Sequence, residues 1–170
     1  MNDEVELPDK EYPYAEAHPI ALAVLEQLRP HCVRIEIAGS IRRKKAMVGD
    51  IEIVAIPKPY STGMFEDGLA AVVNKWEKVK GEMIYGKVKY TQRILPEGIK
   101  LDLFFAVEEN WGSIFAIRTG SAEYSKMLAL RWTQRGFNSE GGYPSRNGER
   151  VEIREEADLF KLVGLPYAEP

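Results

Sequence analysis

The chain has 170 residues, of which 45% are hydrophobic and 29% charged, the balance of a globular domain and not of a disordered or fibrous chain. A formal net charge of −3 does not announce a nucleic-acid binder, and no apolar run is long enough to span a membrane. Cys32 is the single cysteine, which excludes an internal disulfide and a cysteine-rich zinc site and suits a reducing cytosol. The N-terminus, Met1-Asn2-Asp3-Glu4-Val5-Glu6, lacks the basic-then-apolar pattern of a secretory signal, so the chain reads as cytoplasmic with no membrane association.

Residues up to Pro13 read as a loose lead-in. Ile20, Ala21, Val24, Leu25 and Leu28 recur at helical spacing and predict a helix from about Pro19 to Leu28. Pro19 is tolerated in a first turn, where its missing N–H loses no partner, and Pro30 ends the helix. Val33 to Ala38 alternates as a strand. Gly39-Ser40 makes a turn, and Ser40 can cap a short helix over Ile41 to Ala46. Asp50 to Ile56 is a second strand, stopped by Pro57 and Pro59. Leu69 to Trp76 reads as a helix. Lys87 to Leu95 and Ile99 to Val107 read as paired strands joined by Pro96-Glu97-Gly98. Ser113 to Arg135 is helical with a break at Thr119-Gly120-Ser121. Short strands and turns follow Gly136, and Glu155 to Leu162 predicts a last helix. This order predicts an α+β body with a small lobe after about residue 120.

The chemistry concentrates at Ile37-Ala38-Gly39-Ser40-Ile41-Arg42-Arg43 and Gly49-Asp50-Ile51-Glu52-Ile53-Val54. Side chains alternate along a strand, so Asp50 and Glu52 face the same way. Carboxylates within an apolar strand are costly unless a charged group offsets them. A third acid, Asp102, has the same setting in Leu101-Asp102-Leu103-Phe104-Phe105. If the strands lie side by side, the three acids can hold a pair of divalent ions, and oxygen ligands favour Mg2+, with Mn2+ as a substitute. Gly39-Ser40 would let the backbone approach a triphosphate, and Arg43 would add a charge-assisted contact.

Arg42 to Lys45 form a basic block. A second basic stretch runs through Lys75, Lys78, Lys80, Lys87, Lys89, Arg93 and Lys100. It reads either as solvated surface lysines or as a track for a phosphate backbone, in which Lys87, Lys89 and Arg93 would contact DNA. His18 and His31 flank the first helix and read as structural. Trp76, Trp111 and Trp132 read as core anchors, and Cys32 as packing.

Gly39-Ser40, the Asp50/Glu52 pair and the distant Asp102 resemble the signature of the polymerase β-like nucleotidyltransferases, and within them the family X DNA polymerases. Arg118-Thr119-Gly120-Ser121 resembles that family's sugar-pocket turn. Leu159-Phe160 and Gly164-Leu165-Pro166-Tyr167-Ala168-Glu169-Pro170 resemble its C-terminal ending. The resemblance implies an α+β palm over residues 1–120, a mixed sheet with helices on one side, and a thumb-like C-terminal α/β subdomain over 121–170. It implies no N-terminal lyase domain. Asp50, Glu52 and Asp102 would be the catalytic and metal-binding residues, with two Mg2+ ions. Gly39, Ser40, Arg43, Gly49, Thr119, Gly120 and Ser125 would bind the nucleotide. Within the family the Gly-Ser peptide of this turn is often cis.

The implied function is addition of deoxynucleotides from dNTPs to a DNA primer/template, in gap filling or repair, by a monomer. Glu52 stands where the family usually has aspartate, and Ile117-Arg118 replaces the aromatic pair that discriminates against ribose in many members. Ser121, Ser125 and Ala129 recur at i, i+4 spacing, which suits either a flat ligand or close helix packing. The alternative function is a nucleotidyltransferase acting on small molecules or proteins with the same acids.

Overall fold

The structure is a computed structural model and describes residues 10–59, 68–84 and 88–170. Two compact units divide the chain, Met1–Phe105 and Ala106–Pro170. The first contains β1 (Tyr12–Pro13), α1 (Tyr14–Leu28), β2 (Cys32–Ile37), α2 (Gly39–Arg42), β3 (Met47–Val48), β4 (Asp50–Pro57), α3 (Leu69–Val73), β5 (Glu77–Lys80), β6 (Tyr90–Ile94) and β7 (Lys100–Phe105). Among the described residues, β2-β4-β7-β6-β5 form a five-stranded sheet in that order. Only the central β4–β7 pair of this sheet is parallel; the others are antiparallel.

Alternation sorts the central strands into two faces. Ile51, Ile53 and Ala55 of β4 and Leu101, Leu103 and Phe105 of β7 enter one core with Ala17, Ala21, Val24, Leu25 and Leu28 of α1 and Leu69 and Val73 of α3. Each such large apolar side chain contributes about 1.5–3 kcal/mol by leaving water. Asp50, Glu52 and Asp102 occupy the other parity, so the helices that make this core also leave the acids on the opposite sheet face.

Several boundaries depart from the sequence reading. Helix α1 starts at Tyr14, well before Pro19, which lies inside it. Burial of Ala17 and Ala21 and a bond from Tyr14 N–H to the Ala46 carbonyl, 2.9 Å, hold this start despite the hydrogen bond that proline removes. Ser40 sits within α2 and does not cap it. The predicted helix to Trp76 ends at Val73, and single turns carry the chain on to β5. The Pro96-Glu97-Gly98 connection is a tight turn, with Gly98 N–H on the Leu95 carbonyl at 2.8 Å and Gly98 at φ +86°.

The second unit holds α4 (Trp111–Thr119), α5 (Ala122–Gln134), β8 (Asn138–Glu140), β9 (Tyr143–Arg146), β10 (Glu149–Arg150) and α6 (Glu156–Val163). Ala116, Leu128, Trp132, Phe137, Ile153, Leu159 and Val163 form its core. Ser121 caps α5 by accepting Tyr124 N–H at 3.1 Å. The division falls after Phe105, not after residue 120 as the sequence reading had it. The segment before α5 is tied into the second unit by Ile153 N–H on the Glu109 carbonyl at 2.7 Å and Gly112 N–H on the Ile153 carbonyl at 2.8 Å. A Cβ on Gly112 would lie 2.3 Å from the Glu155 backbone, so that approach requires glycine. Among the described residues no helix is long and apolar enough to cross a membrane.

Candidate active site

The β4–β7 register sets Glu52 directly beside Asp102, and Asp50 beside Lys100. All three acids therefore share one face of two neighbouring strands. Asp102 is 9% exposed, and Asp50 and Glu52 are half-buried. Burial pushes the Asp50 carboxyl up to about 6, and the Asp102 charge and a hydrogen bond with Asp102 add to it. Burial likewise pushes Glu52 up to about 7, with Asp50 and Asp102 adding repulsion. Lys100 and Arg43 offset part of this at Asp50, and Arg43 with the Ser40 N–H does so at Glu52. The cluster thus carries more negative charge than its own cations balance.

The Gly39-Ser40 turn closes over Glu52. Gly39 adopts φ +59°, and a Cβ there would fall 1.5 Å from Glu52 Oε2. Ala38 N–H donates to the Glu52 carbonyl at 2.8 Å, fixing the turn to β4. No cis peptide occurs among the described residues, so the Gly39–Ser40 bond is trans, and the left-handed glycine makes the turn instead. Ser40 Oγ is buried and finds no hydrogen-bond partner among the described residues.

The donor set suits a hard divalent cation: three carboxylates, short of positive charge, on one sheet face. Among the described residues no three His, Cys, Asp or Glu side chains stand as a ready-made metal cage. Glu52 lies against the turn and accepts Ser40 N–H, which engages one lone-pair site of its carboxylate and leaves others for an ion.

The remaining expected residues are distributed as follows. Gly49 has no left-handed backbone, and a Cβ there would meet nothing within 4 Å, so the space in front of it is open. Thr119, Gly120 and Ser125 belong to the second unit. Thr119 is buried. A Cβ on Gly120 would meet the Tyr124 ring at 2.8 Å and Ser125 Oγ at 3.1 Å. Ser125 Oγ donates to the Ile117 carbonyl at 2.6 Å. Lys89 is exposed, and Lys87 lies outside the described residues.

Arg93 is not an exposed DNA contact, contrary to the sequence reading. It is 3% exposed. Its guanidinium donates to Thr91 Oγ1 (3.1 Å), the Trp76 carbonyl (3.4 Å), Asn74 Oδ1 (3.2 Å) and the Gly81 carbonyl (3.4 Å). It ties β6 to the segment around β5, and burial lowers its pKa. Two residues that the sequence reading passed over join the site instead. Tyr90 Oη and Gln92 Nε2 both donate to Asp102 Oδ1, each at 2.7 Å. Alternation from Arg93 along a strand paired with that of Asp102 was the signal available for them.

The family model described as DNA polymerase beta thumb matches residues 115–170. No curated protein matches the chain. The match lies within the second unit, away from the residues that carry the acidic signature, and so supports the resemblance independently of them. The α+β fold with its mixed sheet agrees with it.

Proposed function

We propose that this family X polymerase-like chain is a DNA polymerase that adds deoxynucleotides from dNTPs to a primer 3′-hydroxyl by two-metal nucleotidyl transfer, in gap filling or DNA repair. The observation that carries the reading is the register of Glu52 beside Asp102, with Asp50 on the same face. The match to a polymerase thumb over residues 115–170 favours a DNA substrate over a small molecule or protein.

Asp50, Glu52 and Asp102 would hold two Mg2+ ions, and Mn2+ would substitute. When bound, the ions would supply positive charge to the attacking and leaving oxygens. The remaining work falls to the chain. Asp102 draws the 3′-hydroxyl proton onto a carboxylate oxygen. The 3′-oxygen bonds to the α-phosphorus, and the α–β bridge breaks to release pyrophosphate. Ser40 Oγ, buried and without a hydrogen-bond partner among the described residues, would donate to a phosphate oxygen. Arg43, which already offsets the charge of Asp50 and Glu52, would bind the β and γ phosphates.

The test is extension of a labelled primer on gapped, nicked and single-stranded DNA with each nucleotide in turn. Templated addition into the gap is expected. An unextended primer, with nucleotide transferred to a small molecule or protein, would overturn the reading.

A further inference from the structure

We propose that Tyr90 and Gln92 are positioning residues that select the reacting oxygen of Asp102. The inference rests on the active-site reading above and extends it to two side chains outside the acidic triad. Tyr90 Oη and Gln92 Nε2 converge on one atom, Asp102 Oδ1, each at 2.7 Å. Both come from β6, on which they share a face, and Gln92 pairs directly across from Asp102. A carboxylate only accepts, so the Gln92 amide must present its nitrogen. Hydrogen bonds from a hydroxyl and an amide to a carboxylate are charge-assisted and short.

Packing holds the phenol in place. The Tyr90 ring stacks on Phe104 with centroids 4.9 Å apart and planes at 25°, and Lys80 Nζ lies 5.9 Å from its centroid. Two donors on Oδ1 fix the plane of the carboxylate and engage that oxygen. Oδ2 then becomes the oxygen that takes a proton from a hydroxyl or ligates a cation, beside the hydrogen bond that this carboxylate shares with Asp50. Without the two donors the carboxylate would rotate about its terminal torsion, which is broad in aspartate, and either oxygen would face the reactants.

The test uses Tyr90→Phe, which keeps the ring on Phe104, and Gln92→Met, which keeps the volume of the side chain, singly and together in the full chain. Partners of this kind alter activity or metal affinity by about 10–100-fold. Each single variant is expected to slow single-turnover incorporation about 10-fold and the double variant about 100-fold, with the KM for dNTP held within about twofold. Mn2+ titrated into the nucleotide-free protein and followed by electron paramagnetic resonance should bind the double variant about 10-fold more weakly. Its Tm is expected to fall, since two donors to a buried carboxylate are lost, so incorporation and Mn2+ affinity are read at a temperature where circular dichroism shows every variant folded. Wild-type turnover and Mn2+ affinity in the double variant would overturn the inference. So would losses of incorporation and Mn2+ affinity no larger than the unfolded fraction, which describe support of the fold alone. Asp102→Asn separates the two levels. If it is inactive while the double variant is wild-type, only the positioning role falls. If it polymerises normally, the active-site reading falls as well.

Discussion

Gly39 is where backbone and chemistry constrain each other most tightly. Its φ of +59° disfavours any side chain, and a Cβ would occupy the place of the Glu52 carboxylate. Gly39→Ala should therefore cost about 1–3 kcal/mol of stability, seen in urea denaturation, and should displace Glu52. Gly49→Ala offers the contrast, since its Cβ meets nothing within 4 Å. It should leave the Tm unchanged, and a raised KM for dNTP would then report the nucleotide's approach to that open space. Arg43→Ala should raise the same KM more than Lys44→Ala or Lys45→Ala, because guanidinium binds phosphate in a bidentate way. Equal effects at all three would reduce the site to diffuse basic charge. The acids and the turn were legible because strand alternation is a local rule that needs no tertiary information. That Glu52 leans on Gly39 was not, because the lean depends on a backbone angle that no residue name specifies.

The strand elements decide which charges belong to the fold and which to a surface. Arg93 looked like one more cation in a basic run, yet its burial and its acceptors from the Asn74-to-Gly81 segment make it a tie within the sheet. Arg93→Met should destabilise by about 2–3 kcal/mol, since it leaves buried acceptors unmatched, and should leave the salt dependence of DNA binding unchanged. Lys89→Glu should do the reverse. β5 escaped the sequence reading because all four of its residues are exposed at the sheet edge, where no apolar alternation marks a strand.

The acid-bearing strands also predict a pH dependence. Asp50 and Glu52 titrate near 6 and 7 when folded, above their ordinary values of 3.8 and 4.5. A raised folded pKa favours the protonated native state. The stability this contributes is fully present below about pH 4, where both states are protonated. It is lost as pH rises through about 6 and 7. Tm measured against pH without metal should show wild type losing ground to Asp50→Asn over that window. Excess Mg2+ at pH 8 should restore it, because the ion binds deprotonated ligands. A wild type that gains on Asp50→Asn as pH rises, with no response to Mg2+, would contradict the charge balance described here.

For the whole molecule, a net charge of −3 leaves the proposed DNA affinity to local basic surface. Each phosphate neutralised adds roughly 0.9 to the log–log salt slope on duplex DNA. The division into units was only partly legible. The break at Thr119-Gly120-Ser121 is visible in composition and does separate α4 from α5, but α4 folds with the second unit through backbone bonds around Gly112 and Ile153. Such long-range pairings leave no periodic trace in the residues between them. The most direct test of the central claim is single-nucleotide incorporation into a gapped duplex with Mg2+ by wild type, Asp50→Ala and Asp102→Ala, each checked for folding by circular dichroism. The account predicts incorporation by wild type and none by either folded variant. Incorporation by Asp50→Ala or Asp102→Ala at near wild-type rates would contradict it.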